Sequence, residues 1–188
     1  MNQEIDALYE RYQGYDIFTP LDNLEKMTII LEDRRYFNHY GIDCRSIVRE
    51  VWKAATFCQH GGASTIEMQF IRTVNSRREL TMYRKFREGL LALLANFHFN
   101  KIALLRSYLD IAFFGSGLIG RHRASEVMYD KAVYELSPKE AAVLASMLVY
   151  PKPLHENPVW RAKVERRSNY AIRLLPQFEK RFEQIKMC

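Results

Sequence analysis

Apolar residues recur at intervals of three and four along most of the chain, and sustained alternation of β-branched residues is almost absent. This pattern predicts a mainly α fold. The predicted helices cover residues 22–32, 44–57, 65–74, 81–99, 101–114, 137–150 and 158–175, with glycine-bearing breaks at 60–62 and 115–120. We expect an N-terminal extension over 1–21, followed by a single domain over 22–188.

Two of these helices carry specific signals. Ser137 precedes Pro138 and Glu140, an arrangement that predicts a capping box at the start of the helix over 137–150. In the helix over 81–99, residues 90–95 are all apolar, which predicts burial on every face, with Glu88 entering the core. The apolar pair at 113–114 is also expected in the core.

The composition is that of a globular domain that folds without covalent staples. The chain has 188 residues, of which 48% are hydrophobic, and three cysteines at spacings that match no disulfide framework or zinc site. No segment approaches the roughly 20 apolar residues of a membrane span, and the first residues lack the pattern of a signal peptide. We therefore expect neither a span nor a leader in this sequence.

The formal net charge of +6 favours an anionic partner: nucleic acid, an acidic membrane surface or a phosphorylated substrate. The charge is concentrated, because the stretch from Arg72 to Glu88 contains six basic residues and only two acidic ones. An anion site is therefore expected in this stretch.

The segment over 32–43 is the first candidate for chemistry, because Glu32 stands at a predicted helix end beside apolar residues. A carboxylate in such a place suits a general acid or base. The alternative is a solvated helix terminus, with His39 packed in a turn.

Two further segments have both a structural and a functional interpretation. The segment over 61–69 places glycines before a helix start, where Ser64 and Glu67 form a capping box or free backbone N–H groups bind an anion. The segment over 84–88 is either a solvated basic face with an Arg84–Glu88 pair or a cation cluster around a carboxylate.

Five segments, taken in order, resemble the five motifs of the family 51 glycosyltransferases, which are the transglycosylase domains of penicillin-binding proteins and the monofunctional peptidoglycan transglycosylases. The order and spacing agree over about 27–175. The segments are EDRRYFNHYGID, GASTIEMQFIR, RKFRE, LLRSYLDIAFFGSGLIG and LSPKEAAVLASMLVYPKPLHENP.

The resemblance implies a lysozyme-like α fold with an active-site cleft, in which a lipid-linked growing glycan is joined to a lipid-linked disaccharide with inversion. Glu32 would be the base that deprotonates the acceptor hydroxyl. Glu88 would assist departure of the diphosphate, directly or through water or a divalent cation (Mg or Mn), and no other cofactor is implied. The residues that would contact substrate or its phosphates are Asp33, Phe37, His39, Ser64, Thr65, Gln69, Arg72, Arg84, Lys85 and Arg87.

The sequence departs from the family pattern in several places. Leu80 stands where an arginine is common, Asp110 replaces the usual asparagine, and residues 127–131 replace the family's YFGK ending. The family's N-terminal membrane helix is not found either, which indicates a shortened sequence, a member that docks peripherally or one that reaches the membrane by another route. We expect peripheral attachment at the outer face of the bacterial cytoplasmic membrane. Candidates for lipid contact, with core packing as the alternative, are Trp52, Lys53 and Phe57.

Two other functions remain open at this point. Two glutamates on a lysozyme-like scaffold can also cleave glycans. A lytic enzyme, however, needs no cationic side chains to bind a diphosphate. A catalytically silent helical module that binds nucleic acid is the second alternative. It is disfavoured because the basic residues surround a carboxylate instead of forming an exposed stripe with aromatics, so no nucleic-acid partner is expected.

Overall fold

The computed structural model describes residues 15, 17–55, 64–75 and 82–185. Helices dominate this part of the chain, which confirms the predicted mainly α class. The described helices are α1 (Asn23–Glu32), α2 (Cys44–Ala55), α3 (Ile66–Asn75), α4 (Met82–His98), α5 (Lys101–Ile111), α6 (Arg121–Tyr129), α7 (Pro138–Met147) and α8 (Pro158–Ile185). Single 3₁₀ turns lie at Tyr36–Asn38 and Val133–Glu135, and two short strands are β1 (Phe113–Gly115) and β2 (Leu118–Ile119).

The chain divides into two compact units, and among the described residues it passes from one to the other between Arg34 and Arg35 and again within α5. The first unit contains Arg35–Tyr108, and the second contains Tyr15–Arg34 together with the described residues from Leu109 onward. The single domain expected over 22–188 stays a prediction, and each unit is described by itself below.

The second unit is organised by α7, which packs against α1 and α8. Small residues make this close packing possible, since Ala141, Ala142 and Ala145 are fully buried along α7. Helix α1 begins at a capping box: Asp22 accepts from the Glu25 backbone N–H at 2.8 Å, and its own N–H donates to the Glu25 carboxylate at 3.0 Å.

The start of α7 confirms the predicted capping box. The Ser137 hydroxyl accepts from the Glu140 N–H at 3.3 Å, the Glu140 carboxylate accepts from the Ser137 N–H at 2.8 Å, and Pro138 occupies the first turn. Helix α7 ends at Met147, three residues before the predicted end.

Helix α8 is longer than the sequence predicted, because it continues through Pro176 to Ile185 instead of ending at 175. A proline costs a helix one backbone hydrogen bond. Apolar packing beyond the proline offsets that loss: Phe182 is buried, and its ring centroid lies 6.1 Å from that of Phe178.

The predicted helix over 101–114 is wrong at its end. Helix α5 stops at Ile111, and β1 and β2 form an antiparallel hairpin whose turn contains Gly117 at φ 75°. Successive strand residues face opposite sides, so Phe114 is fully buried but Phe113 is 52% exposed, and the predicted burial holds only for Phe114. Helix α6 was not predicted, since its sequence is polar and has little apolar periodicity.

The first unit is built around α3 and α4, which pack against each other. The backbone of Gly41 lies very close to α4. Its φ is +80°, and a Cβ atom added at this position would lie 2.3 Å from the Ala92 carbonyl oxygen. The predicted burial of residues 90–95 on every face is wrong for one side of α4, because Leu90 is 42% exposed, whereas Leu91, Ala92 and Ala95 are buried.

Candidate functional site

Glu32 is the last residue of α1, as the sequence predicted, and its side chain is only 8% exposed. Arg167, from α8 of the same unit, donates to Glu32 Oε1 at 2.6 Å and to the Leu31 carbonyl at 3.1 Å with the same Nη2 atom. One guanidinium thus fixes both the end of α1 and the candidate base. Arg167 was not predicted as a site residue.

The two residues after Glu32 are also held within this unit. The backbone N–H of Asp33, the C-cap residue of α1, donates to the Ile29 carbonyl at 3.0 Å, and Asp33 is buried. Arg34 donates through Nε to the Ile30 carbonyl at 3.2 Å, and its Nη2 donates to the Tyr170 hydroxyl of α8. These contacts give the segment after α1 a defined conformation.

Glu88 lies on α4 of the other unit and is held by two arginines. Arg72 of α3 donates through Nε to Oε1 at 3.2 Å and through Nη2 to Oε2 at 2.9 Å. Arg84, one turn earlier on α4, places its Nε 3.2 Å from Oε1. The carboxylate is buried, so the paired cations offset the cost of removing its charge from water. The expected Arg84–Glu88 pair and the burial of Glu88 are both confirmed.

Some candidate phosphate ligands have partners within their own unit. The Thr65 hydroxyl donates to the Gly41 carbonyl at 2.6 Å, and the side-chain oxygen of Gln69 accepts from the Tyr108 hydroxyl at 2.7 Å. Lys85 is exposed on α4, whereas Arg87 and Ser64 are partly exposed. The structure therefore leaves Lys85 as the best-placed of these cations to meet an anion from solvent.

The capping box expected from Ser64 and Glu67 is wrong. Thr65 is the residue that accepts the Met68 N–H at 3.3 Å, because α3 begins at Ile66, one position later than that pairing requires. Glu67 is fully buried and pairs with Lys101 of the same unit at 2.5 Å. The glycines of this segment lie outside the described residues.

Phe37 and His39 surround the buried ring of Tyr36. The ring of Phe37 meets that of Tyr36 edge to face at 5.1 Å, and the ring of His39, which is buried, does so at 6.3 Å. The Tyr36 hydroxyl donates to the Lys101 carbonyl at 2.7 Å. His39 thus packs in the turn, as the structural alternative predicted, and a role in substrate binding for either ring stays a prediction.

Asp43 ends this segment and opens α2. Its carboxylate accepts from the Ser46 hydroxyl at 2.6 Å and from the Arg45 N–H at 3.2 Å. Burial acts to raise the pKa of Asp43, but the Ser46 hydrogen bonds and the charge of Arg35 outweigh it and hold the pKa below its usual value.

The departure at Asp110 has a structural explanation. Asp110 accepts from Arg121 Nε at 2.6 Å, and the same buried guanidinium donates to Glu25 at 3.0 Å. An aspartate at 110 thus supplies a charge partner for Arg121, which an asparagine would not.

Asp22 belongs to the same group of charges, because Arg121 lies 3.7 Å from its carboxylate. Burial and the charge of Glu25 raise the pKa of Asp22 to about 6.

Several candidates lie outside the described residues. They are Leu80, Phe57, two of the cysteines (Cys58 and Cys188) and the side chain of Lys53. Cys44, the cysteine that the structure describes, is a free and exposed thiol.

Most of the residues around Arg167 that sequence reasoning missed lie on α8. Arg167 lines a cavity of about 260 Å³ together with Tyr150, Lys163, Arg166, Tyr170 and Arg173. The signal was present in the predicted helix, because residues 163, 166, 167, 170 and 173 recur at helical spacing and share one face.

The described residues thus define a mainly α protein in which two buried glutamates are held by guanidinium groups, Glu32 in one compact unit and Glu88 in the other. Over residues 9–175 the sequence matches the protein family described as Transglycosylase. The chain therefore belongs to the transglycosylase family.

Individual relatives agree with this assignment. Penicillin-binding protein 1A of Aquifex aeolicus is 36% identical over 155 residues, covering 79% of this chain and 21% of the relative. Penicillin-binding protein 1F of Bacillus subtilis is 33% identical over 146 residues, covering 77% of this chain and 20% of the relative. A biosynthetic peptidoglycan transglycosylase of Vibrio parahaemolyticus is 31% identical over 151 residues, covering 80% of this chain and 64% of the relative. The chain spans about a fifth of the length of the penicillin-binding proteins it matches.

Among the described residues, no helix has both the length and the apolar character needed to cross a membrane. Exposed apolar side chains are nevertheless frequent on two helices of the first unit. Trp52, on α2, is 72% exposed, so the alternative that it packs in the core is wrong. On α4, Tyr83, Phe86 and Phe97 are exposed at helical spacing.

Proposed function

We propose that this chain is a peptidoglycan glycosyltransferase, which polymerises a lipid-linked disaccharide-peptide into glycan strands with inversion at the sugar. The observation that carries the proposal is the buried Glu32 at the end of α1, held at 2.6 Å by Arg167, in a chain of the transglycosylase family. A relative of similar sequence bears the name biosynthetic peptidoglycan transglycosylase.

In the proposed reaction, Glu32 takes the proton from the acceptor hydroxyl. The hydroxyl oxygen then forms a bond to the anomeric carbon of the donor, the bond from that carbon to the diphosphate breaks, and the diphosphate leaves with its electron pair. A carboxylate fixed by a guanidinium is well suited to this step, because its orientation needs no reorganisation when the hydroxyl arrives.

The Glu88 region is assigned to the leaving group. Charge develops on the diphosphate as its bond to the sugar breaks, and cationic side chains stabilise that charge. Lys85 and Arg87 precede Glu88 on α4, and the exposed Lys85 is free to approach an anion from solvent. Arg72 and Arg84 instead hold Glu88 in place.

A divalent cation at Glu88 does not fit the residues around it. Arg72 donates to both carboxylate oxygens, and Arg84 lies 3.2 Å from one of them, so the ligand atoms already face positive charge. We therefore derive no step through a metal at this carboxylate.

The experiment that tests the function compares two substrates. Purified full chain is incubated with a fluorescent lipid-linked disaccharide-peptide, and separately with finished peptidoglycan. The proposal predicts glycan polymer and free polyprenyl diphosphate from the first and no soluble fragments from the second. Soluble muropeptides from finished peptidoglycan, without polymer from the lipid-linked substrate, would instead identify a glycan-cleaving enzyme.

We also propose that the chain docks peripherally on a membrane that carries its substrate, at the outer face of the bacterial cytoplasmic membrane. The exposed apolar side chains of α2 and α4 support this, because aromatic residues at an interface place their rings among lipid headgroups. Phe86→Ser with Phe97→Ser should abolish sedimentation with lipid vesicles. Tyr134→Ser with Leu154→Ser, at equally exposed sites of the other unit, should not; equal loss in both pairs would exclude this docking face.

A further inference from the structure

The cavity beside α8 is lined almost entirely by cationic and phenolic side chains. Its volume is about 260 Å³, and its lining residues, here called the α8 basic pocket, are Tyr150, Lys163, Arg166, Arg167, Tyr170 and Arg173. Four of the six are basic and none is acidic. Helix α8 as a whole contains seven basic and three acidic residues, so the pocket lies on a positively charged element.

The cations of this pocket have few protein partners. Within the residues that the structure describes, Lys163, Arg166 and Arg173 form no salt bridge. Arg167 pairs with Glu32 through Nη2, but its buried Nε has no hydrogen-bond partner among the described residues. Lys163, Arg166 and Arg173 are exposed, so their charges are accessible to an anion that arrives from solvent.

The walls of the pocket are fixed before any ligand arrives. The Trp160 indole donates to the Tyr150 carbonyl at 2.9 Å, which ties the end of the segment after α7 to α8. Lys163 Nζ lies 5.8 Å from the centre of the Tyr150 ring. On the other side, Arg34 donates to the Tyr170 hydroxyl and lies over its ring at 5.1 Å. Such preorganisation lowers the cost of binding.

From this geometry we propose that the α8 basic pocket binds a phosphate or diphosphate group, at a site additional to the cations of α3 and α4. Guanidinium groups offer paired N–H donors that match phosphate oxygens, and tyrosine hydroxyls add neutral donors. The cavity is smaller than the roughly 300–1,000 Å³ that is usual for drug-sized ligands, so it suits a charged group and not a disaccharide.

The pocket is also linked to the candidate base, because Arg167 is shared between them. An anion that engages Arg167 competes with Glu32 for the same guanidinium. Occupancy should therefore alter turnover, and this consequence, unlike the binding itself, depends on the proposed function.

Binding is tested with inorganic pyrophosphate by calorimetric titration of the full chain. Every protein carries Lys85→Gln and Arg87→Gln, so that the remaining binding does not come from α4. We expect Arg166→Gln with Arg173→Gln to weaken pyrophosphate binding about tenfold or more, because charge-assisted hydrogen bonds are lost. The matched control is Lys139→Gln with Lys180→Gln, which removes two charges from exposed sites outside the pocket and should leave the affinity within about twofold.

Equal weakening in the pocket variant and in the matched control would overturn the proposal, since general charge attraction would then account for binding. Absence of binding in the parent protein would overturn it as well. Because Arg166 and Arg173 are exposed, we expect both variants to unfold at the parent temperature; Lys163→Gln with Arg173→Gln is a second pocket variant if they do not.

Two further arms identify the source of the phosphate group. Weaker binding of the pocket variant than of the parent protein to vesicles of phosphatidylglycerol, with equal binding of both proteins to vesicles of phosphatidylcholine, would assign an anionic lipid headgroup. Pocket-dependent binding of soluble pyrophosphate, without such a vesicle effect, would assign a free diphosphate. Polymerisation is measured in the chain that keeps Lys85 and Arg87. Normal polymerisation there without pocket binding would refute the pocket alone, whereas pocket binding without polymerisation would refute the proposed function alone.

Discussion

Replacing Arg72 by glutamine tests how Glu88 is held. Arg72 donates two hydrogen bonds to Glu88, whose side chain is 6% exposed, and Arg84 remains as a second cation after the change. Breaking a fully buried pair costs about 3–5 kcal/mol, because a charge is left without a partner. The Arg72 side chain is itself 35% exposed, so we expect Arg72→Gln to lower the free energy of unfolding by about 2–3 kcal/mol.

Urea unfolding of a double-mutant cycle isolates this contribution. In a Glu88→Gln background the buried carboxylate is absent, so Arg72→Gln should cost less than about 1 kcal/mol. Lys85→Gln, an exposed change on α4, should lie within about 0.5 kcal/mol of the parent in both backgrounds. An equal cost of Arg72→Gln with and without the Glu88 carboxylate would refute the reasoning, since Arg72 would then stabilise the fold through other contacts.

Three further substitutions give measurable outcomes. Gly41→Ala should lower the free energy of unfolding by at least about 3 kcal/mol in urea titrations, because the new methyl group would lie 2.3 Å from the Ala92 carbonyl oxygen; a near-neutral change would exclude that contact. Tyr36→Phe should cost about 1–2 kcal/mol by thermal unfolding, because the Lys101 carbonyl loses its donor; full parental stability would contradict the hydrogen bond. The pKa of Asp22 is raised from 3.8 to about 6, so the folded state holds this proton more tightly. About 2–3 kcal/mol of stability, present below about pH 4, should be lost as the pH rises through about 6, and Asp22→Asn should remove this dependence; an unchanged pH profile would refute it.

The elements that the sequence predicted well are those whose signals are local. The capping box at Ser137 depends on residues within one helical turn, and the end of α1 at Glu32 follows from the apolar periodicity before it. The elements whose bounds the sequence did not predict are determined by tertiary packing. Helix α8 continues through Pro176 because Phe182, which follows the proline, is buried. The local sequence does not predict that burial.

The candidate site divides in the same way. The Arg84–Glu88 pair is a contact of one helical turn and was predicted from spacing. The contact of Arg167 with Glu32 joins residues 135 positions apart, and that of Arg72 with Glu88 crosses from one helix to another. Such pairings depend on how helices pack, so the sequence could identify the carboxylates and the Arg84 pair but not the contacts that Arg167 and Arg72 make.

Turnover of lipid-linked disaccharide-peptide by Glu32→Gln, compared with the parent chain, tests the central claim most directly. Glu126→Gln, which neutralises an exposed carboxylate on α6, is the matched control. The account predicts that Glu32→Gln retains its fold and its binding of the lipid substrate, but that its polymerisation rate falls about 10²- to 10⁴-fold. The control should polymerise at the parent rate. Polymerisation by Glu32→Gln within about twofold of the parent rate would contradict the assignment of Glu32 as the base.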